Sequence, residues 1–187
     1  SSGFGLKYYH EKVDDLFFTT SGEKILAKLN LADINKFNKY KYKKLLLREN
    51  TFVPLTKYSS AFWQLEYGTY FESDPVKVDP FYLGGIDSFI GSNPLEIKTS
   101  FYRSARLGMR LNWNKEYFLD FIYNYLTWGE SDRWFEMDKK KSAVGLIFGK
   151  KYMITPLRLA VSMDNKQHLY YYISIGYDYD AFEFSRR

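Results

Sequence analysis

The sequence predicts an all-β fold, an antiparallel transmembrane β-barrel of about 8–10 strands in this chain, and three observations carry that expectation. Apolar residues recur at every second position through most of the 187 residues. Aromatic side chains make up 20% of the chain, with 18 Tyr and 16 Phe beside 27 Lys and Arg. That is not the composition of a disordered chain, which lacks the aromatic surface to form a core. Short turns and long irregular loops separate the alternating segments, and no segment asks for a helix.

Taken in order, a weaker candidate over 3–10 is followed by 24–31, where Ile25, Ala27, Leu29 and Leu31 oppose Lys24, Lys28 and Asn30. A second weak candidate covers 39–48. Over 60–71, Ala61, Trp63, Leu65, Tyr67 and Phe71 oppose Gln64, Glu66 and Gly68. Over 104–113, Ala105, Leu107, Met109, Leu111 and Trp113 oppose Ser104, Arg106, Gly108, Arg110 and Asn112. The next set is Tyr117, Leu119, Phe121, Tyr123 and Tyr125 against Glu116, Asp120 and Asn124, within 116–127. Val144, Leu146 and Phe148 then oppose Ala143, Gly145 and Gly149. Leu157, Leu159, Val161 and Met163 face away from Arg158, Ala160 and Ser162. The last and clearest segment, 169–181, sets Leu169, Tyr171, Ile173, Ile175, Tyr177 and Tyr179 against Tyr170, Tyr172, Ser174, Gly176, Asp178 and Asp180. The expected sum is about nine strands in a single domain covering 1–187.

One face is large and aromatic; the other is small, polar or charged. A soluble sandwich turns its large face into a core, whereas a membrane barrel turns it toward lipid and keeps polar groups inside. The tyrosines and tryptophans suit the two membrane interfaces. A soluble all-β binding domain is the alternative. Connections fall into a short set, about 165–167, 151–154 and 114–116, and a long set, 128–141 and 73–100, which the barrel reading makes extracellular. A tight turn at Asn114 that pairs Trp113 with Tyr117 places Arg110 opposite Asp120 and Arg106 opposite Asn124. An Arg110–Asp120 ion pair inside the barrel is expected on that register.

Other chemistry finds little support. There is no cysteine, and His10 and His168 are the only histidines, so no metal site or other cofactor is expected. No run of about 18 apolar residues reads as a membrane helix. The chain begins with Ser1 and reads as a processed or truncated product. A net charge of +5 is modest, and the basic, tyrosine-rich stretch Asn38 to Arg48 reads as an alternating strand, so no nucleic acid is expected as a partner. "GIDSFIG" holds Asp87 and Ser88 between glycines, but the spacing is not that of a serine elbow, and no catalytic residue is assigned.

The order of four stretches carries a resemblance: "FFTTSGEKI" at 17–25, "PFYLGGIDSFIG" at 80–91, "SARLGMRLNW" at 104–113 and "PLRLAVSMDNKQHLYYYISIGYDYDAF" at 156–182. Together they resemble the C-terminal half of the barrel in the bacterial surface-antigen superfamily of the outer membrane. Gly91, Pro94, Glu96 and "ARLGMR" are most similar to the barrels fused to patatin-like phospholipases. Thr19 stands where proline is usual, and the loop has Ile90 before Gly91 in place of the arginine-bearing tip of translocating members.

The resemblance implies a sixteen-stranded barrel in the outer membrane, with a loop containing Gly84, Gly85 and Gly91 folded into the lumen. It implies a barrel-insertion signal on Gly176, Tyr179 and Phe182, although Ala181 takes an expected aromatic position and Ser185, Arg186 and Arg187 follow Phe184. The implied function is to anchor or export an N-terminal passenger, a patatin-like phospholipase in that branch. The alternative is a protein-translocating or barrel-assembly pore. Implied partners are the lipid bilayer, the barrel-assembly machinery, and either the missing half of the barrel or another copy of this chain. Closure on itself as a small barrel is a further possibility.

Overall fold

The structure is a computed structural model and describes residues 2–15, 19–34, 40–71, 80–114, 116–129, 138–152 and 155–176. Its strands are β1 (Ser2–Val13), β2 (Gly22–Ile34), β3 (Tyr40–Thr56), β4 (Ser59–Tyr70), β5 (Phe81–Leu83), β6 (Ile97–Thr99), β7 (Phe101–Trp113), β8 (Tyr117–Gly129), β9 (Lys139–Tyr152), β10 (Thr155–Asp164) and β11 (Leu169–Ile175). Among the described residues there is no helix. Nine strands form one sheet in the order β1-β2-β3-β4-β7-β8-β9-β10-β11, and β5 and β6 make a separate two-stranded ribbon. Every neighbouring pair is antiparallel. No pairing joins β1 to β11, so the sheet is open at both edges among the described residues.

Each of the nine expected segments lies in a strand of this sheet, and the differences have local causes. β3 runs on to Thr56, well past the expected end at 48, because Glu49, Asn50 and Pro54 blur the alternation without breaking the ladder. Pro54 sits where the β3–β4 register shifts, a place where its missing N–H is tolerated. The part of the last expected strand beyond Gly176 lies outside the described residues.

Strand direction sorts the connections. β1 and β2, β3 and β4, β7 and β8, and β9 and β10 succeed one another at the short-turn end of the sheet; β2 and β3, β4 and β7, β8 and β9, and β10 and β11 do so at the other, the long-loop end. The 165–168 turn is nearly as short as the 114–116 turn, yet the strand order puts it at the long-loop end. The 114–116 turn matches its expected place. Asn114 takes a φ of 53°, a left-handed conformation that asparagine tolerates, and Trp113 faces Tyr117.

The two faces have inverted polarity for a chain in water. Leu107, Met109, Phe121, Tyr123, Tyr125, Val144, Leu146, Phe148, Leu159, Met163, Tyr171, Ile173 and Ile175 share the outer face and are 39% to 76% exposed. The inner face buries Ser104, Arg106, Arg110, Asp120, Asn124, Ser162 and Asp164 to 9% exposure or less. The hydrophobic core is small and lies on the inner face. Phe81, Leu83, Ile86, Phe89, Ile90 and Ile97 of the 80–100 segment pack there against Phe62, Tyr102, Phe118, Ile122, Leu126, Ile147 and Tyr172 of the sheet.

Glycines opposite the large inner residues make this packing possible. Tyr102, Phe62 and Phe118 stand directly across the ladder from Gly68, Gly108 and Gly149. A methyl group on these glycines would lie 2.2, 2.3 and 2.0 Å from the facing ring. The rings therefore occupy the space that a side chain at these glycines would take.

Candidate functional site: the segment seated on the inner face

The site begins with the short ribbon of β5 and β6, which holds the ends of the 84–96 excursion together. Gly84 and Gly85 turn the chain with φ of 121° and 88°, a region that side chains resist. A Cβ on Gly84 would lie 2.1 Å from the carbonyl oxygen of Asn93. The Gly85 N–H donates to Ser92 O at 3.0 Å, and Asn93 N–H donates to Glu96 Oε2 at 2.7 Å. Gly91 has no positive φ, and its role is proximity: a Cβ there would meet Ala143 Cβ and the Phe89 ring, each at 2.6 Å.

An irregular segment leaves backbone carbonyls without ladder partners, and burial makes that costly unless side chains supply donors. Here β7, β8, β10 and β11 supply them. Arg106 donates to Ile86 O at 3.0 Å and Ser88 O at 2.8 Å, while its Nε donates to Asn124 Oδ1 at 3.1 Å. Asn124 Nδ2 adds a bond to Ser88 O at 3.2 Å. The hydroxyls of Ser162 and Tyr172 both donate to Ile90 O, and Tyr172 also reaches Ser92 O at 3.0 Å. Arg158 binds Asp87 and donates to Ser174 Oγ at 3.0 Å. The carbonyls of 86, 88, 90 and 92 are thus all held by hydrogen bonds, those of 86, 88 and 90 from sheet side chains alone.

Two further ion pairs brace the inner face. Arg110 holds Asp120 through two bonds of 2.7 Å and donates to Thr19 O at 3.0 Å, so the 14–21 connection is tied to β7. The Arg110 guanidinium also lies 4.3 Å from the centroid of the Phe118 ring. Glu66 receives two bonds from Arg48, at 3.1 and 3.0 Å, together with bonds from Tyr102 and Gln64. In the 14–21 connection, partial burial would raise the Asp14 pKa. Bonds from the Thr20 hydroxyl, Thr20 N–H and Ser21 N–H outweigh that and hold it below the ordinary value.

The sequence-derived residues therefore fall as follows. Gly84, Gly85 and Gly91 belong to the segment on the inner face, and Arg110 and Asp120 are paired there. Gly176 ends β11 with φ of 119°, its N–H donating to Pro156 O at 3.1 Å; Tyr179 and Phe182 lie outside the described residues. Asp87 and Ser88 take different partners: Asp87 goes to Arg158, and the Ser88 hydroxyl accepts Gly84 N–H at 3.5 Å.

The Glu66 cluster and the Asp87–Arg158 pair were not anticipated from the sequence. A turn at Lys57 and Tyr58 that pairs Thr56 with Ser59 would set Arg48 opposite Tyr67, and the register shift between Pro54 and Thr56 is what brings Arg48 opposite Glu66, so turn reasoning alone misses the pair. Asp87–Arg158 had no such signal, because a loop has no register.

A comparison with protein-family models finds no match for this chain, and a comparison with curated proteins finds none either. The fold itself defines an open, all-antiparallel sheet with an internal segment bound to its polar face.

Proposed function

We propose that this chain forms part of the wall of an outer-membrane β-barrel, with the 80–100 segment as a plug bound inside the lumen. The observation that carries the reading is the inverted polarity of the sheet. Full burial of a large apolar side chain gains about 1.5–3 kcal/mol, and the outer face leaves more than a dozen of them 39% to 76% exposed, forgoing a good part of that gain at each. Lipid removes that deficit. The height is also suitable: along β7 the outward row from Arg103 to Trp113 spans ten residues, which at about 3.3 Å each and a tilt near 40° rises about 25 Å.

Strand direction bears on how the wall is completed. With nine strands, each antiparallel to the next, β1 and β11 run the same way, from the long-loop end to the short-turn end. Closing β1 onto β11 would make a parallel seam, and so would joining them to the edges of another copy in the same orientation. An odd number of further strands restores antiparallel pairing at both edges and satisfies backbone groups that lipid cannot. This favours completion by other strands, the missing half of the barrel, over self-closure.

The barrel in this reading anchors or exports an N-terminal passenger, and its resemblance to the patatin-linked branch makes a phospholipase the passenger of choice. The test is extraction and gel mobility. The barrel is expected to require detergent and to run faster unheated than boiled; a monodisperse, detergent-free protein contradicts the reading.

A further inference from the structure

The outer face carries a second feature that its apolar character does not explain. On β7, β8 and β9 the outward residues stand in rows: Leu111–Leu119–Phe148, Met109–Phe121–Leu146, Leu107–Tyr123–Val144 and Ala105–Tyr125–Ser142. The next row toward the long-loop end is Arg103–Thr127–Lys140, where two exposed cations flank one threonine. Two ladder spacings of about 5 Å separate their Cα atoms, a span that two long side chains can bridge to a shared anion. The Arg103 guanidinium lies 5.9 Å from the Tyr67 ring centroid, which fixes its position at the rim.

Directly below Arg103 is a groove of about 750 Å³ on the same face. Ala27, Leu47, Leu65, Ala105 and Tyr125 line it, together with parts of Arg48 and Glu66, which pair with each other. Small alanines stand at two of its outward positions, where larger side chains would fill it. Glu49 also lines it, but its carboxylate accepts from Trp63 Nε1 at 3.3 Å and Thr51 Oγ1 at 3.2 Å and so faces those donors.

An apolar groove with an arginine in its lining, and a lysine two strands away along the same row, has the chemistry of a lipid-binding site: acyl chains fill the groove, and a phosphate meets the guanidinium within reach of the ammonium. We infer that this face binds a phosphorylated glycolipid of the outer leaflet, with Arg103 and Lys140 on its phosphate. The inference rests on the membrane reading, which places the long-loop end in that leaflet.

The test uses the intact barrel containing this chain in phosphatidylcholine nanodiscs, titrated with bisphosphorylated lipid A and followed by native mass spectrometry. Arg103→Gln with Lys140→Gln is expected to weaken retention about thirty-fold, two interfacial cations being lost. Ala105→Trp should also weaken it by filling the groove with no change of charge. Lys150→Gln, at the opposite rim, should leave it unchanged. Wild-type retention in either of the first two variants overturns the site, as does an equal loss in Lys150→Gln or equal binding of phosphatidylglycerol. Gel mobility of every sample reports insertion separately, so a barrel that never enters the nanodisc refutes the membrane reading, and with it this site.

Discussion

Arg110 and Asp120 face each other across the β7–β8 ladder, joined by two N–H···O bonds of 2.7 Å and buried to 8% and 3% exposure. The same guanidinium reaches Thr19 O on the 14–21 connection. One pair thus links a hairpin to a turn distant in sequence.

Breaking that pair from one side strands a buried charge. Asp120→Ala is expected to destabilise the fold by about 3–5 kcal/mol. Arg110→Met combined with Asp120→Leu should cost much less, because no charge is left uncompensated. Urea unfolding in detergent, followed by tryptophan fluorescence, distinguishes the two.

Replacing Gly84 with alanine brings a Cβ to 2.1 Å from Asn93 O in a backbone conformation that already disfavours it. Assembly should fall sharply, read as loss of the fast-migrating unheated band. Gly85→Ala is the milder comparison, because its φ is also positive but its Cβ would come no nearer than 3.4 Å to Pro94, and it should lower assembly less. Normal assembly of the Gly84 variant counts against a tucked-in segment.

The carbonyl of Ile90 has two hydroxyl donors, from Ser162 and Tyr172. Ser162→Ala or Tyr172→Phe alone leaves it one partner and should loosen the segment little. Together they orphan a buried acceptor, worth about 1–3 kcal/mol, so the double variant should exceed the sum of the singles. Hydrogen exchange over residues 86–92 measures the difference.

Asp14 is held below its ordinary pKa by Thr20 and Ser21. A depressed carboxylate stabilises the folded state above its unfolded pKa of about 3.9, and that contribution fades as pH falls through the lower folded value. Protection of the Thr20 and Ser21 amides should therefore drop below about pH 4. Asp14→Asn should lose the pH dependence of that protection.

How far the sequence alone could lead depended on periodicity. Period two set the strands and the outward faces from Ile25 to Ile175, and a tight turn set the register that pairs Arg110 with Asp120. The inner face was harder to read. Alternation predicts a small, polar face there, yet Phe62, Phe118, Ile122, Leu126 and Ile147 sit on it and form the core with the 80–100 segment. Alternation shows that two faces differ but not that a loop will return to cover one of them. The side-chain bonds to the carbonyls of 86, 88 and 90 were invisible for the same reason: they join a segment without a repeat to strands distant in sequence.

The central claim is that the outer face meets lipid. Single nitroxide labels at Met109→Cys, Phe121→Cys, Tyr123→Cys and Val144→Cys of the reconstituted barrel test it most directly, through collision with oxygen and with a water-soluble nickel chelate. Strong collision with oxygen and exclusion of the chelate at all four positions is the predicted result; free access of the chelate to them would contradict it.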